Sequence, residues 1–381
     1  MNHDDRYIIL DLIRGVSALL VCAGHLRASL FESYSESSKS GASILMKVFY
    51  FITSLGHESV MIFFVLSGFF VGGGIIRLQG NKFRFDRYLV ARVSRLWVVL
   101  IPALIFTYII DYYIGVIAPS LLDGEAFVRL NSGPNGEYSN TLTTFLANVF
   151  FLQTITVPVF GSNGPLWSLT NEFWYYILFP LMMIACGIVT ISLRARILSC
   201  ILVPVFICSF YSFDLLVGFS IWIIGALVAF FYQNSEFSFK KTFKTFAFSL
   251  FIFSILVGKM NLIGEHFGDI FTGLTFGVFL ISLNRWQWEG FAKFNLSKPI
   301  CFFSEMSYSL YLFHFPVVLL LYAILYSNSK LTFSLFSVFQ FSIALGALIF
   351  IGLIFWFCFE RNSQKVKDLL FKFLDKPELH K

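Results

Sequence analysis

Between Tyr7 and Leu26 the chain reads YIILDLIRGVSALLVCAGHL, an apolar run long enough to cross a bilayer that nevertheless holds Asp11, Arg14 and His25. About 20 residues rising about 1.5 Å each cover the hydrocarbon core. A charged side chain at the centre of such a helix costs about 2.5 to 3.5 kcal/mol on insertion scales. At about 100° per residue, Arg14 and His25 differ by only about 20° around the helix, and Asp11 falls about 40° to the other side of His25. The three therefore share one stripe, with about 16 Å of axial rise between Arg14 and His25. An acid and a base stand near one membrane surface and an imidazole near the other. Asp11 and Arg14, at i and i+3, read equally as a functional pair or as a structural pair satisfied beside the headgroups. His25 has no carboxylate near it in sequence to orient it.

The rest of the chain repeats that apolar character. With 57% hydrophobic residues, 13% charged residues and 50 Phe in 381 positions, there is too little polar surface to cover a water-soluble globule. The runs are continuous and long, which excludes the short alternating strands of a membrane β-barrel. The expected fold is an all-α integral membrane protein, a bundle of about ten transmembrane helices. Apolar runs place the spans near 7–27, 57–77, 95–116, 172–192, 196–213, 215–232, 244–259, 266–284, 305–326 and 334–359. The stretch 143–160, broken by Asn148, Gln153 and Pro158, is read as re-entrant or interfacial.

Ten crossings put both termini on one side. The loops on that side carry 21 Lys and Arg, the opposite loops carry 6, and Arg14 lies within the membrane. The excess makes both termini cytoplasmic. The net charge of +6 is therefore topological information and no sign of a nucleic-acid partner. The six cysteines lie in or beside apolar segments without CxxC spacing and read as packing residues. The leader MNHDDRY is more acidic than basic and no A-x-A site follows, so no cleavable signal is expected. One transmembrane domain is expected over 1–360, followed by a cytoplasmic basic amphipathic tail over 361–381 along the inner leaflet. Residues 28–56 and 117–171 form the long outer loops, where a polar acceptor can meet the protein.

Three further constellations stand out. The loop RLQGNKFRFDRYLVARVSRLW obeys the positive-inside rule, but Arg92 and Arg95 are fixed one helical turn apart at the cytoplasmic mouth of span three. Two planar guanidiniums so placed suit a phosphate-bearing ligand. Span four opens with GPLWSLTNEFWYYILFP, which puts Glu172 at the outer boundary, at the depth expected for His25. That carboxylate is either a solvated end residue near a helix N-terminus or a group that orients the imidazole or binds substrate. Span nine begins SEMSYSLYLFHFPV, where Tyr308 and His314 either line a path for an acyl donor or serve packing. The glycines of SGFFVGGG in span two read as packing positions. No nucleotide-binding, nucleophile-elbow or zinc spacing is present, and no metal is expected.

Taken together, LDLIRGVSALLVCAGH with Arg14-x10-His25, SVMIFFVLSGFFVGG, the Arg-x-x-Arg of Arg92 and Arg95, PLWSLTNEFWYYILFP and SYSLYLFHFPV occur in an order that resembles the acyltransferase family 3 membrane proteins. That group includes O-antigen and other surface-polysaccharide O-acetylases, nodulation-factor acetylases and peptidoglycan O-acetyltransferases. The resemblance covers nearly all of the chain. It implies a ten-helix membrane enzyme that moves an acyl group, usually acetyl, from cytoplasmic acyl-CoA to a hydroxyl of an extracytoplasmic glycan or lipid-linked oligosaccharide. By matching positions it implies His25 as the catalytic residue, Arg14 required beside it, and Arg92 and Arg95 engaged with the coenzyme. Some members carry a C-terminal hydrolase-like domain, which is not expected here because the chain ends about twenty residues after its last span.

The residues accommodate this chemistry. The basic inner mouth can hold coenzyme phosphates, with Asp11 holding Arg14 in orientation. His25 can serve as general base toward a sugar hydroxyl or as a nucleophile through an acyl-imidazole, and the sequence leaves both open. A reading from another class, a polytopic transporter or flippase with Asp11, Arg14, His25 and Glu172 along its path, lacks the internal repeats usual for such proteins.

Overall fold

In a computed structural model, residues 8–78, 83–122, 137–189, 191–209, 212–234, 238–283, 297–325 and 330–375 are described. The chain forms α1 (Ile8–Leu30), α2 (Ile44–Thr53) and α3 (Gly56–Arg77), whose middle, Gly68–Gly72, widens into a π turn. Then come α4 (Phe85–Ile117), α5 (Leu142–Val149), α6 (Leu166–Ala185), α7 (Leu193–Ser209), α8 (Phe213–Asn234) and α9 (Lys241–Lys259). The remainder is α10 (Glu265–Ser282), α11 (Ser297–Glu305), α12 (Ser307–Leu325), α13 (Leu335–Cys358) and α14 (Ser363–Leu374). Among the described residues there are isolated bridges but no β-strand.

Among the described residues, seven helical stretches are long and apolar enough to cross a membrane: α1, α3, α4, α8, α9, α12 and the run from α13 into α14. The chain is thus an all-helical, multi-pass membrane protein. The other three spans expected from hydropathy fall on α6, α7 and α10. Spans three and four differ most from the expectation, for a physical reason. Hydropathy reports the solvent a segment prefers, whereas a helix ends where its backbone is stopped. Span three, expected from 95, begins at Phe85, because the charged turn DRYLVARVSR is helical before it is apolar. Span four, expected from 172, begins at Leu166 and ends at Ala185, with Gly187 at φ 73° just beyond. The segment 143–160 forms α5 followed by turns with Phe151 and Thr154 at positive φ, so it makes no span. Of the residues that set the expected topology, Arg6, Lys82, Arg129, Arg285, Lys293, Lys376 and Lys381 lie outside the described residues, as does 131–136 of the second outer loop.

The chain divides into two compact units, the first made of Met1–Ser17, His57–Arg84 and Asn171–Ser304. Its centre is Trp222 of α8, fully buried, with the Phe179 ring edge-on at 4.9 Å. Helix α3 meets α8 almost backbone to backbone. A Cβ at Gly68 would overlap the Trp222 carbonyl oxygen and stand 2.9 Å from its carbon, and one at Gly72 would meet Ala226 Cβ at 2.6 Å. These glycines are packing positions, as their spacing implied. Pairs along the two helices rise together, Phe64 with Gly218, Gly68 with Trp222 and Gly72 with Ala226, so α3 and α8 run parallel. α6 follows the same direction, with Tyr175 beside Phe219 and Phe179 beside Trp222. α9 runs opposite to α10, and Ser254 and Thr275 share a hydrogen bond of 2.7 Å between them. Charged ends meet on one side: His57 Nε2 lies 2.8 Å from Asp269, and Lys259 Nζ lies 3.0 Å from Glu58.

The second unit comprises Ala18–Gly56, Phe85–Thr170 and Glu305–Lys381. α12 is its centre. The C-terminal part of α1 runs parallel to it, burying Ala23, Leu26 and Leu30 against Val317 and Val318. α4 also runs parallel, from Leu96 beside Tyr308 to Ile110 and Ile114 against Phe315 and Leu319. α13 runs antiparallel, its start at Phe341 and Leu348 packed with Val317 and Val318 and the Glu360 just beyond its end bonded to Ser309; between them Phe355 stacks on Phe313 at 3.6 Å and Gly352 lets its backbone approach Leu310. The Glu360 carboxylate accepts the Ser309 N–H at 2.9 Å and its hydroxyl at 2.6 Å near the first turn of α12. A loop at 160–165 is wedged against the same helix. Buried Asp111 accepts the Ser162 N–H at 2.8 Å, and Asn163 Nδ2 donates to Leu312 O at 2.9 Å. Tyr138 bonds the same Asp111, and burial followed by that neighbouring charge pushes its phenol above its usual range. α14 lies on α4, with Arg87 over the Phe371 ring and bonded to Asp375 at 2.6 Å.

Candidate active site

In the first unit, Asp11 and Arg14 form a closed triangle with a residue far away in sequence. Arg14 Nη2 donates to Asp11 Oδ1 at 3.0 Å, Arg14 Nε to Ser304 Oγ at 2.7 Å, and Ser304 Oγ to Asp11 Oδ1 at 2.9 Å. Gly15 lets α11 come this close, because a Cβ there would meet the Phe303 ring at 2.7 Å. The Arg14 guanidinium also faces the Phe70 ring at 6.0 Å. The Asp11 carboxylate thus fixes a guanidinium about three-quarters buried, 23% of its side chain remaining exposed.

Glu172 of α6 sits in the same unit within a net of donors. Ser67 Oγ donates to its Oε1 at 2.7 Å, the Tyr176 hydroxyl donates to the same oxygen, and Trp222 Nε1 donates to Ser67 Oγ at 3.1 Å. Glu172 lies six residues into its helix, not at the helix start as expected. Ser67 stands where α3 widens into its π turn, a distortion often found at functional sites.

In the second unit, His25 of α1 is half-buried and meets His314 of α12, ring centroids 5.3 Å apart and tilted by 36°. The Phe315 ring stands edge-on to His25 at 5.1 Å. His314 is 1% exposed, and its Nδ1 lies 2.7 Å from Tyr311 O and 3.2 Å from Leu310 O. Carbonyl oxygens only accept, so Nδ1 carries the proton. Arg92 and Arg95 lie in the second and third turns of α4, Arg92 half-buried over the Tyr88 ring at 5.8 Å and Arg95 exposed. The one-face arrangement expected of them is therefore a pair in two environments. Tyr308 reaches the same stretch, its hydroxyl donating to Leu96 O at 3.3 Å. Among the described residues no group of three His, Cys, Asp or Glu side chains is placed to hold a metal ion.

The structure brings together Asp11 with Arg14, His25 with His314, and Tyr308 with the turn bearing Arg92 and Arg95. Sequence reasoning missed Ser304, Ser67, Tyr176 and Trp222. Tyr176 was within reach, since it follows Glu172 at i+4 on one helical face. Ser304 carries no such signal, because 290 positions separate it from Arg14.

Long apolar helices, with a guanidinium triangle in one unit and an imidazole pair in the other, define a multi-pass membrane protein. A family model described as an acyltransferase domain matches residues 7–361, nearly the whole chain. The chain belongs to acyltransferase family 3 and is a membrane acyltransferase. No curated protein and no solved structure matches it.

Proposed function

We propose that this acyltransferase moves an acetyl group from cytoplasmic acetyl-CoA to a hydroxyl of a surface glycan, such as O-antigen or exopolysaccharide, or of its lipid-linked precursor. The observation that carries the reading is the placing of His25, a half-buried imidazole on the helix that bears Arg14 eleven residues earlier. A neutral imidazole there takes the proton of the glycan hydroxyl as its oxygen attacks the thioester carbonyl. The C–S bond breaks as the C–O bond forms, and the proton passes to the departing thiolate, leaving coenzyme A and an O-acyl glycan. Arg92 and Arg95, with Tyr308 beside them, hold the coenzyme's phosphates at the inner mouth. Arg14, held by Asp11 and Ser304, offsets negative charge along the way. Glu172, held by the hydroxyls of Ser67 and Tyr176, binds the acceptor.

The chain crosses the inner membrane ten times with both termini in the cytoplasm. Helix direction supports the count. With only the seven long apolar stretches crossing, two crossings would separate α4 from α12 and these would run antiparallel. They run parallel, so an odd number of crossings must be added between them. α10 lies alongside α8 and α9, and α6 alongside α8; α7 must then return the chain. α7 also leaves Ile197, Leu198, Ile201 and Val205 uncovered, an apolar surface suited to lipid. Mass spectrometry of the surface polysaccharide from cells with and without the gene tests the function. Loss of one acetyl mass per repeat unit on deletion is expected, and an unchanged glycan refutes it.

A further inference from the structure

His25 has no described carboxylate partner, yet an imidazole that takes a proton works best when its second nitrogen is held. His314 is the group built to do this. Its Nδ1 is committed to the Tyr311 and Leu310 carbonyls, so its lone pair is on Nε2. That nitrogen is fully buried and has no hydrogen-bond partner among the described residues. A buried acceptor left unpaired is exceptional and calls for a partner. The two rings are not hydrogen-bonded as they stand; at a centroid separation of 5.3 Å a rotation of the His25 ring brings one nitrogen of each to about 3 Å, an N–H···N hydrogen-bond length. Cys22 and Leu310, one turn earlier on each helix, lie 4.0 Å apart through Sγ and O, which holds α1 and α12 in this register.

We propose that His314 is the positioning residue for His25, accepting the N–H of the His25 ring at its own Nε2. This fixes the tautomer, leaves the other His25 nitrogen as the bare lone pair, and aims it at the acceptor hydroxyl. It rests on the general-base reading given above. When His25 takes the hydroxyl proton it becomes an imidazolium whose second N–H stays on His314, and that proton does not move. The transferred proton leaves with the thiolate, so both rings end as they began.

The test uses full-length protein in native membranes, with radiolabelled acetyl-CoA as donor and label in the polysaccharide fraction as readout. His314→Asn keeps a donor for the helix carbonyls but has nothing at the Nε2 position, whereas His314→Gln sets an acceptor there. The expected result is a kcat about 100-fold lower in His314→Asn, KM for acetyl-CoA within about twofold, and His314→Gln within about tenfold of wild type. His25→Ala combined with His314→Asn should be no worse than His25→Ala alone, because the two act as a unit. Wild-type kcat in His314→Asn overturns the proposal. So does a raised KM with unchanged kcat, which would make His314 a wall of the donor path. Equal loss in both variants at an unchanged thermal midpoint also overturns it. Full activity in His25→Ala would remove the general-base reading itself, an outcome distinct from failure of His314 alone.

Discussion

Gly68→Ala places a methyl group where α3 and α8 meet. The new Cβ would overlap the Trp222 carbonyl oxygen and stand 2.9 Å from its carbon and 3.1 Å from Ala226 N. Carbon contacts relax at about 3.5 to 4.0 Å, so the helices must part by about 1 Å, and backbone atoms cannot rotate away as a side-chain end can. Overpacking of this kind costs about 1 to 3 kcal/mol. The separation also stretches the Trp222 Nε1 to Ser67 bond from 3.1 Å to about 4 Å, beyond hydrogen-bond range. That bond supports Ser67, which supports Glu172. Gly74, on the same helix, has nothing within 4 Å of its would-be Cβ. There alanine gains only its better helix propensity, about 0.5 to 1 kcal/mol. The two substitutions should therefore act with opposite sign. Thermal unfolding of the detergent-purified protein should show Gly68→Ala lower than wild type by several degrees and Gly74→Ala level or slightly higher. Equal midpoints for the two would refute the close-packing argument.

Three other outcomes follow from the geometry. Ser304→Ala removes one hydrogen bond from Arg14 and one from Asp11; at about 1.5 kcal/mol for a bond to a charged group, the thermal midpoint should fall by a few degrees and acyl transfer by about tenfold. Arg92→Ala with Arg95→Ala should raise KM for acetyl-CoA by about tenfold or more, as titrated on membranes, with half-buried Arg92 alone accounting for any loss of thermal stability. Gly161→Ala puts a Cβ onto Asp111 Oδ2 at a backbone φ of 58°, so it should lower the unfolding midpoint and expose the 160–165 loop to protease.

How far the sequence carries depends on what each residue's neighbours are. The seven long apolar helices among the described residues were legible because each must hide its backbone within one segment, and the apolar runs mark them. Their ends were less so, as Phe85 and Leu166 illustrate, because a polar turn is helical as readily as an apolar one. The stripe of Asp11, Arg14 and His25 followed from helical periodicity alone. The partners that give those residues their chemistry came from elsewhere: Ser304 from α11, Ser67 from α3 and His314 from α12. Such contacts depend on which helices pack together, and no periodicity within one helix encodes that. The Gly68 approach was legible as packing in kind, but its target, the Trp222 carbonyl, was not.

The most direct measurement of the central claim uses sealed inside-out membrane vesicles supplied with radiolabelled acetyl-CoA on the outside, with the acetyl content of the enclosed glycan followed over time. Wild-type protein should label the enclosed glycan, and His25→Ala at equal abundance should leave it unlabelled. Wild-type labelling by His25→Ala would contradict the account.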